Sequence, residues 1–302
     1  MFIRKTHGIA INSKTEQIYV ADRLYDVVLV LGPDGSYHSQ IGGPGSTPGK
    51  FFRPTALAFD AATDRLYVTD KDNHRVQVFH APSGQFLFTF GSQGTRPGTF
   101  GFPWGIAILN KEGGSVVAVA DSRNQRVQFF TKEGLYLDHF DDFPNDEEGR
   151  QQQQLWTTGR RNYPIKNQPR GLAFDPTGEL LYITDFNHHC IFKLDLARRT
   201  LHKVSVSPAA TTNTGRATTT TRNNSVLYRP SGIDVDSEGN IILCDQRNNL
   251  LRKFRKDGSE VEQFITGVSF KLPSDLSLFP GVVGYVAVMD DKGRLRVLNF
   301  TN

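Results

Sequence analysis

Short stretches in which apolar and polar residues alternate recur along the chain, and residues 53–90 show the arrangement most clearly. Four runs lie within them: Ala56–Phe59, Leu66–Thr69, Arg75–Phe79 and Phe86–Phe90. The last three alternate, and each run ends in Asp, Asn, Gly or Pro. Alternation over four to six residues predicts half-buried strands, and the turn residues make them consecutive and antiparallel. A four-stranded meander cannot bury both of its faces alone. The pattern therefore predicts neighbours of the same kind.

Those neighbours are written in the sequence. The predicted second strand ends in Asp six times, at Asp22, Asp70, Asp121, Asp185, Asp245 and Asp290. Pro54, Pro103, Pro169, Pro230 and Pro273 precede the first strands of all repeats but the first, and a small residue and an aliphatic pair follow, as in Gly105-Ile106-Ala107. The third strands align as Arg75-Val-Gln-Val, Arg126-Val-Gln-Phe and Arg294-Leu-Arg-Val. A linker also recurs: Gly42, Gly45, Gly49, Phe51 and Pro54 match Gly91, Gly94, Gly98, Phe100 and Pro103. Repetition at this period is the mark of a propeller or solenoid.

The run from Pro54 to Phe79, with Val68-x-Asp70-x-x-Asn73-x-Arg75-Val76-Gln77-x-Phe79 at its centre, resembles the NHL repeat. The resemblance covers nearly the whole chain. It is strongest in the second and third repeats, and weaker in the first, where Asp26-Val27 replaces the basic position, and in the sixth, shorter by one residue. It implies an all-β fold, a six-bladed β-propeller of four-stranded antiparallel blades. As a long propeller the chain resembles those at the C-terminus of TRIM-NHL proteins. One propeller domain is expected over 1–302, with blades near 6–43, 53–91, 102–140, 168–206, 229–267 and 272–300. The sixth repeat ends after three strands, so residues 2–4 are expected to complete the last blade and close the ring, leaving only short, protected edges.

Composition narrows the class. The 28 Gly and 15 Pro are spread through turns, and a formal charge of +4 permits an electropositive face without requiring one. Cys190 and Cys244 form no CxxC pair and no disulfide framework. No apolar run approaches the roughly 20 residues of a membrane span, and the start lacks a signal-peptide core. A cytoplasmic setting without membrane association is expected. Two insertions leave the repeat: 141–168, which passes from acidic through Gln151–Gln154 to basic and holds Trp156 and Tyr163, and the Thr-rich 207–228. Both read as polar loops.

Catalytic chemistry is poorly supported. Asp70 and Arg75, like Asp121 and Arg126, are placed to meet across a turn, which reads as a structural charge-assisted hydrogen bond. Repeats with Cys190 or Leu250 at the basic position are expected to do without it. The residues entering the first strands (Thr55, Trp104, Arg170, Ser231 and Ser274) are no metal set, and His188-His189-Cys190 is a poor ligand group on an alternating strand. No GxSxG, HExxH or phosphate loop is present. Amidating lyases share the NHL repeat but are secreted and cysteine-bridged, unlike this chain. The reading is a domain with no enzyme activity, no cofactor and no metal.

Recognition remains. Loops joining strands two and three open on the same face of a propeller as the entries to strand one. That face is expected to carry Arg23 and Tyr25, then Lys71, Asn73 and His74, then Arg123 and Asn124. Phe186, Asn187 and His188 follow, then Arg247 and Asn248, while the entries add Arg53, Arg170 and Arg229. The resemblance implies two uses, because some TRIM-NHL propellers bind RNA and others select protein partners for ubiquitination. The first reading is docking of protein partners or substrates for a parent ubiquitin ligase, whose RING and dimerising coiled coil lie outside this chain, the isolated domain being monomeric. The alternative is binding of single-stranded RNA, with cations for phosphate and aromatics for stacking.

Overall fold

The computed structural model describes residues 6–111, 114–144, 166–204, 226–260, 269–279, 285–290 and 293–299. Six antiparallel sheets follow one another along the chain. The first holds β1 (Thr6–Ile11), β2 (Ile18–Asp22), β3 (Val27–Leu31) and β4 (Tyr37–Gly42). The second holds β5 (Pro54–Asp60), β6 (Arg65–Asp70), β7 (Arg75–His80) and β8 (Gln85–Phe90), and the third β9 (Pro103–Leu109), β10 (Val116–Asp121), β11 (Arg126–Phe130) and β12 (Tyr136–Phe140). The fourth comprises β13 (Pro169–Phe174), β14 (Leu180–Asp185), β15 (Cys190–Asp195) and β16 (Thr200–Lys203). Among the described residues the last two sheets have three strands each: β17 (Pro230–Val235), β18 (Ile241–Asp245) and β19 (Leu250–Phe254), then β20 (Pro273–Leu278), β21 (Tyr285–Asp290) and β22 (Leu295–Asn299). The expected closing strand at residues 2–4, Trp156 and Tyr163 lie outside the described residues.

The first strands pack in a ring, β1 on β5, β9, β13, β17 and β20 in turn, with β20 back against β1. The fold is a six-bladed β-propeller. Its core lies between blades: Tyr19, Val28 and Ile41 of the first sheet pack with Leu66, Val68 and Phe79 of the second. Ile9, Val20 and Leu29 pack with Ala287 and Met289 of the sixth, which completes the circle. Burial of both faces changes one expectation. β2 is buried throughout and β6 nearly so, whereas the outer β8 alternates as half-buried strands should. The polar positions inside the ring are satisfied rather than exposed. Thr69 Oγ1 donates to the Trp104 carbonyl (2.7 Å) and Thr184 Oγ1 to the Ser231 carbonyl (2.7 Å), each tying one blade to the next.

Where a glycine stands two positions after the entry proline, its smallness has a steric cause. A Cβ on Gly105 would sit 1.8 Å from the Arg170 carbonyl oxygen, and one on Gly171 2.2 Å from that of Ser231. The next blade's backbone occupies the space a side chain needs. The repeated Asp organises the rest of the blade. Asp70 accepts from the Phe52 N–H (2.7 Å), Asn73 Nδ2 (2.8 Å), Arg75 Nε (2.8 Å) and Gln77 Nε2 (3.0 Å). Asp121 repeats the set with Gly101, Asn124, Arg126 and Gln128. Arg75 and Gln77 also donate to the Lys50 carbonyl, so the Arg-Val-Gln motif holds the preceding glycine-rich linker in place.

Leu250 gives the fifth blade no basic residue at the expected position, but the blade does not go without one. Arg252, two residues on and therefore on the same face of β19, reaches Asp245 (3.2 Å) and pairs with Glu260 (2.7 Å). In the fourth blade, where Cys190 stands, His188 Nδ1 lies 3.0 Å from Asp185.

Candidate functional site

The turns between second and third strands, and the entries to first strands, meet on one rim of the ring. Three of the turns are single 3-10 turns, Lys71–Asn73, Ser122–Asn124 and Gln246–Asn248, each closed by a left-handed residue: His74, Gln125 and Asn249. Entries to β5, β9, β17 and β20 also place a left-handed residue before the proline: Arg53, Phe102, Arg229 and Leu272. These two sets are joined. The N–H of Arg53 donates to Asp26 Oδ1 (2.7 Å), that of Phe102 to His74 Nδ1 (3.1 Å), that of Arg229 to His189 Nδ1 (3.0 Å) and that of Leu272 to Asn249 Oδ1 (2.8 Å). In these four places a turn latches the entry of the next blade.

This frame removes several residues from the displayed surface. Asn73, Asn124 and Asn248 each donate to the blade's Asp and to a preceding loop carbonyl (Gly45, Gly94 and Val226), so their amides are engaged in the scaffold. Asn187 Nδ2 does the same to Lys166. His74 is buried as a latch acceptor, and His188 is buried against Asp185. Phe186, expected as an exposed stacking ring, is buried. Tyr25, Arg123 and Arg247 are exposed, and Arg53 is exposed with a guanidinium 3.2 Å from Asp72.

The structure brings the remaining cations together over three rings at the mouth of the central channel. The Arg170 guanidinium carbon lies 3.2 Å from the Phe186 ring centroid and 4.0 Å from that of Trp104. Arg229 covers Phe186 (5.1 Å), Arg23 covers Trp104 (5.8 Å), and Arg123 covers Phe102 (5.3 Å). Lys71 stands between Phe102 (4.9 Å) and Trp104 (5.5 Å). Cations on ring faces are attracted by the ring quadrupole, more so when water is excluded. The crowding of these charges shifts their pKa values. Burial first, then Arg229 and Arg23, bring Arg170 down to about 9, still charged at neutral pH. Burial also lowers Lys71, although Asp72 holds its ammonium. His7, edge-on to Trp104, is pushed well below its ordinary value by burial and then by Arg23, Arg170 and Lys71. It is neutral.

Below the mouth runs a channel of about 350 Å³ lined by the six first strands. Two carboxylates face it that the sequence reading passed over. Asp234 accepts from the Leu278 N–H (2.9 Å) and Asp275 from the Ile9 N–H (3.2 Å), each clamping the next blade. Burial raises Asp234 to about 6 and Asp275 to about 8, and their mutual repulsion acts on Asp275 in the same direction. Among the described residues no three of His, Cys, Asp and Glu gather as a metal site. Phe102 and Trp104, over whose rings the cations gather, are not among the residues expected on this face. The signal for them was their position flanking Pro103, equivalent to the entry residues Arg53 and Arg170.

Comparison with known proteins supports the repeat. The NHL repeat model matches residues 51–79, 167–194 and 227–254. Those three stretches match the NHL repeat, which accords with the six-bladed propeller of the fold. It is 25% identical over 147 residues to the Drosophila melanogaster protein brain tumor, covering 49% of this chain and 12% of that one. It is 35% identical over 95 residues to the Mus musculus peptidyl-glycine alpha-amidating monooxygenase, covering 29% and 9%. The chain therefore spans a small part of the length of these relatives. Among solved structures, a Xanthomonas campestris gluconolactonase superposes with a TM-score of 0.66 over 99% of this chain and 87% of that one at 14% identity. A Staphylococcus aureus virginiamycin B lyase gives 0.61 over 99% and 85% at 10% identity. At such identities the likeness is one of fold.

Proposed function

We propose that this propeller is a non-catalytic recognition module that docks protein partners on the rim bearing the channel mouth. The observation that carries the reading is the gathering of Arg23, Lys71, Arg123, Arg170 and Arg229 on Phe102, Trp104 and Phe186. Cation and aromatic side chains in a partly desolvated patch are the groups that dominate protein interfaces. The TRIM-NHL resemblance favours a parent protein in which the docked partner is a substrate for ubiquitination, in a cytoplasmic setting, with dimerisation supplied elsewhere in that parent. Single-stranded RNA is the second reading, favoured by the same cations. It ranks lower because stacking needs open ring faces, and these rings hold cations.

Capture of proteins from a cell extract by the immobilised chain tests the reading. The double variant Arg123→Glu, Arg229→Glu is expected to lose proteins that the intact chain retains, while Lys14→Glu, remote on the first blade's outer loop, retains them. Identical capture by all three would place docking on another surface.

A further inference from the structure

The channel mouth holds a cluster of like charges at close quarters, of which Lys71 is matched by Asp72. Among the described residues, neither Arg170 nor Arg229 has a carboxylate within ion-pair distance, and Arg170 Nε is buried with no hydrogen-bond partner. A buried guanidinium N–H left unpaired bears its desolvation penalty in full, and that penalty is recovered when a ligand accepts from it. The aromatic rings explain how such an arrangement is tolerated. Contact with the Phe186 and Trp104 rings holds the Arg170 guanidinium in place without supplying an acceptor for its N–H groups. A flat, oriented guanidinium is the group that grips a carboxylate through two parallel hydrogen bonds.

The same geometry argues against nucleobases. Phe102 carries Lys71 and Arg123, Trp104 carries Arg170, Lys71 and Arg23, and Phe186 carries Arg170 and Arg229. Phe102 also packs on His74 (4.4 Å) and Trp104 on His7 (5.4 Å). Base stacking requires a free ring face. Here the rings serve the cations.

Building on the docking reading, we propose that the channel mouth is a carboxylate receptor: an acidic side chain from a Glu- or Asp-rich segment of a protein partner inserts between Arg170 and Arg229, with Arg23 and Lys71 supplying the surrounding field. Entry of one carboxylate would satisfy the unpaired Nε–H and relieve the repulsion among the guanidinium groups.

The test is fluorescence anisotropy of the intact chain with a labelled octapeptide of alternating Glu and Gly at low salt. The same peptide with Gln for Glu, and an oligouridylate of equal charge, serve as comparisons. The Glu peptide is expected to bind, the Gln peptide to bind at least tenfold more weakly, and Arg170→Met and Arg229→Gln each to weaken the Glu peptide by tenfold or more. Arg170→Lys is expected to weaken it as well, since an ammonium lacks the paired N–H edge. Arg229→Gln changes a rim residue, so it decides the matter should Arg170→Met unfold. Equal binding of the Glu and Gln peptides, or indifference to both substitutions, overturns the proposal. Tighter binding of oligouridylate that displaces the peptide overturns it in favour of RNA. Absence of peptide binding, with extract capture still lost in the charge-reversed double variant, overturns the carboxylate receptor and leaves protein docking on this rim standing.

Discussion

His74 Nδ1 accepts the backbone N–H of Phe102 at 3.1 Å, across the boundary between the second and third blades. Both residues are left-handed, with φ of 55° each, a conformation few non-glycine residues adopt without compensation. Asp26 with Arg53, His189 with Arg229 and Asn249 with Leu272 repeat the relationship. The latch needs an acceptor, and a protonated imidazole has none.

Acid should therefore open the histidine latches. Burial first, then the Arg229 charge, bring His189 down to about 4, against about 6.5 in an unfolded chain. The unfolded state binds the extra proton between those values, so stability rises with pH through the window. His189 contributes fully above about pH 6.5, and its contribution, on the order of 3 kcal/mol, is lost as pH falls towards 4. His189→Asn keeps an acceptor, as Asn249 does in the next blade. Thermal melts at pH 7 and 4.5 should show a smaller acid-side loss in this variant; an equal loss would remove His189 from the account.

Asp275 should act with the opposite slope. Its pKa is raised to about 8, first by burial and also by Asp234, whereas an unfolded Asp titrates near 3.9. The folded state holds the proton between those values, so stability declines as pH rises from about 4 to 8. Asp275→Asn retains an oxygen for the Ile9 N–H. It is expected to melt several degrees higher than the parent chain at pH 8.5 and close to it at pH 5. A uniform loss at both pH values would mean that the side chain is required as a carboxylate.

Arg252 should matter to the fifth blade as Arg126 does to the third. Both are buried and bonded to the blade's Asp. Removing one partner of a buried pair leaves an uncompensated charge, a loss of about 3–5 kcal/mol. Urea unfolding of Arg126→Met and Arg252→Met is expected to show comparable losses, with Leu250→Arg unable to restore stability to the second. A mild effect at Arg252 would show that the fifth blade needs no basic residue.

Gly105 should tolerate no side chain. A Cβ there meets the Arg170 carbonyl at 1.8 Å, and backbone of the neighbouring blade cannot retreat without parting the ring. Gly105→Val is expected to yield insoluble or unfolded protein, whereas Gly239→Ala, with open space around its Cβ position, should cost at most the strain of its left-handed backbone. Soluble, cooperatively melting Gly105→Val would contradict the packing described here.

The repeat was legible because local chemistry imposes it along the chain: an Asp to close a turn in all six repeats and, in most, an entry proline and a small residue where the next blade's carbonyl intrudes. Strand order, propeller class and the pairing of Asp70 with Arg75 follow from those positions. What the sequence could not separate was scaffold from display within a loop. Asn73, Asn124, Asn248, His74 and His188 have the composition of a polar surface, but the first four are consumed by hydrogen bonds to partners distant in sequence and His188 is buried against Asp185. Phe102 and Trp104 look like ordinary strand-entry residues until ring closure sets Arg23, Lys71 and Arg170 over them. Asp234 and Asp275 read as strand residues until six first strands meet around one channel. Local pattern determined the blade by itself, since its interactions span few residues. Closure of the ring decided the site, because only there do charges from separate blades come close enough to repel one another and to share a ligand.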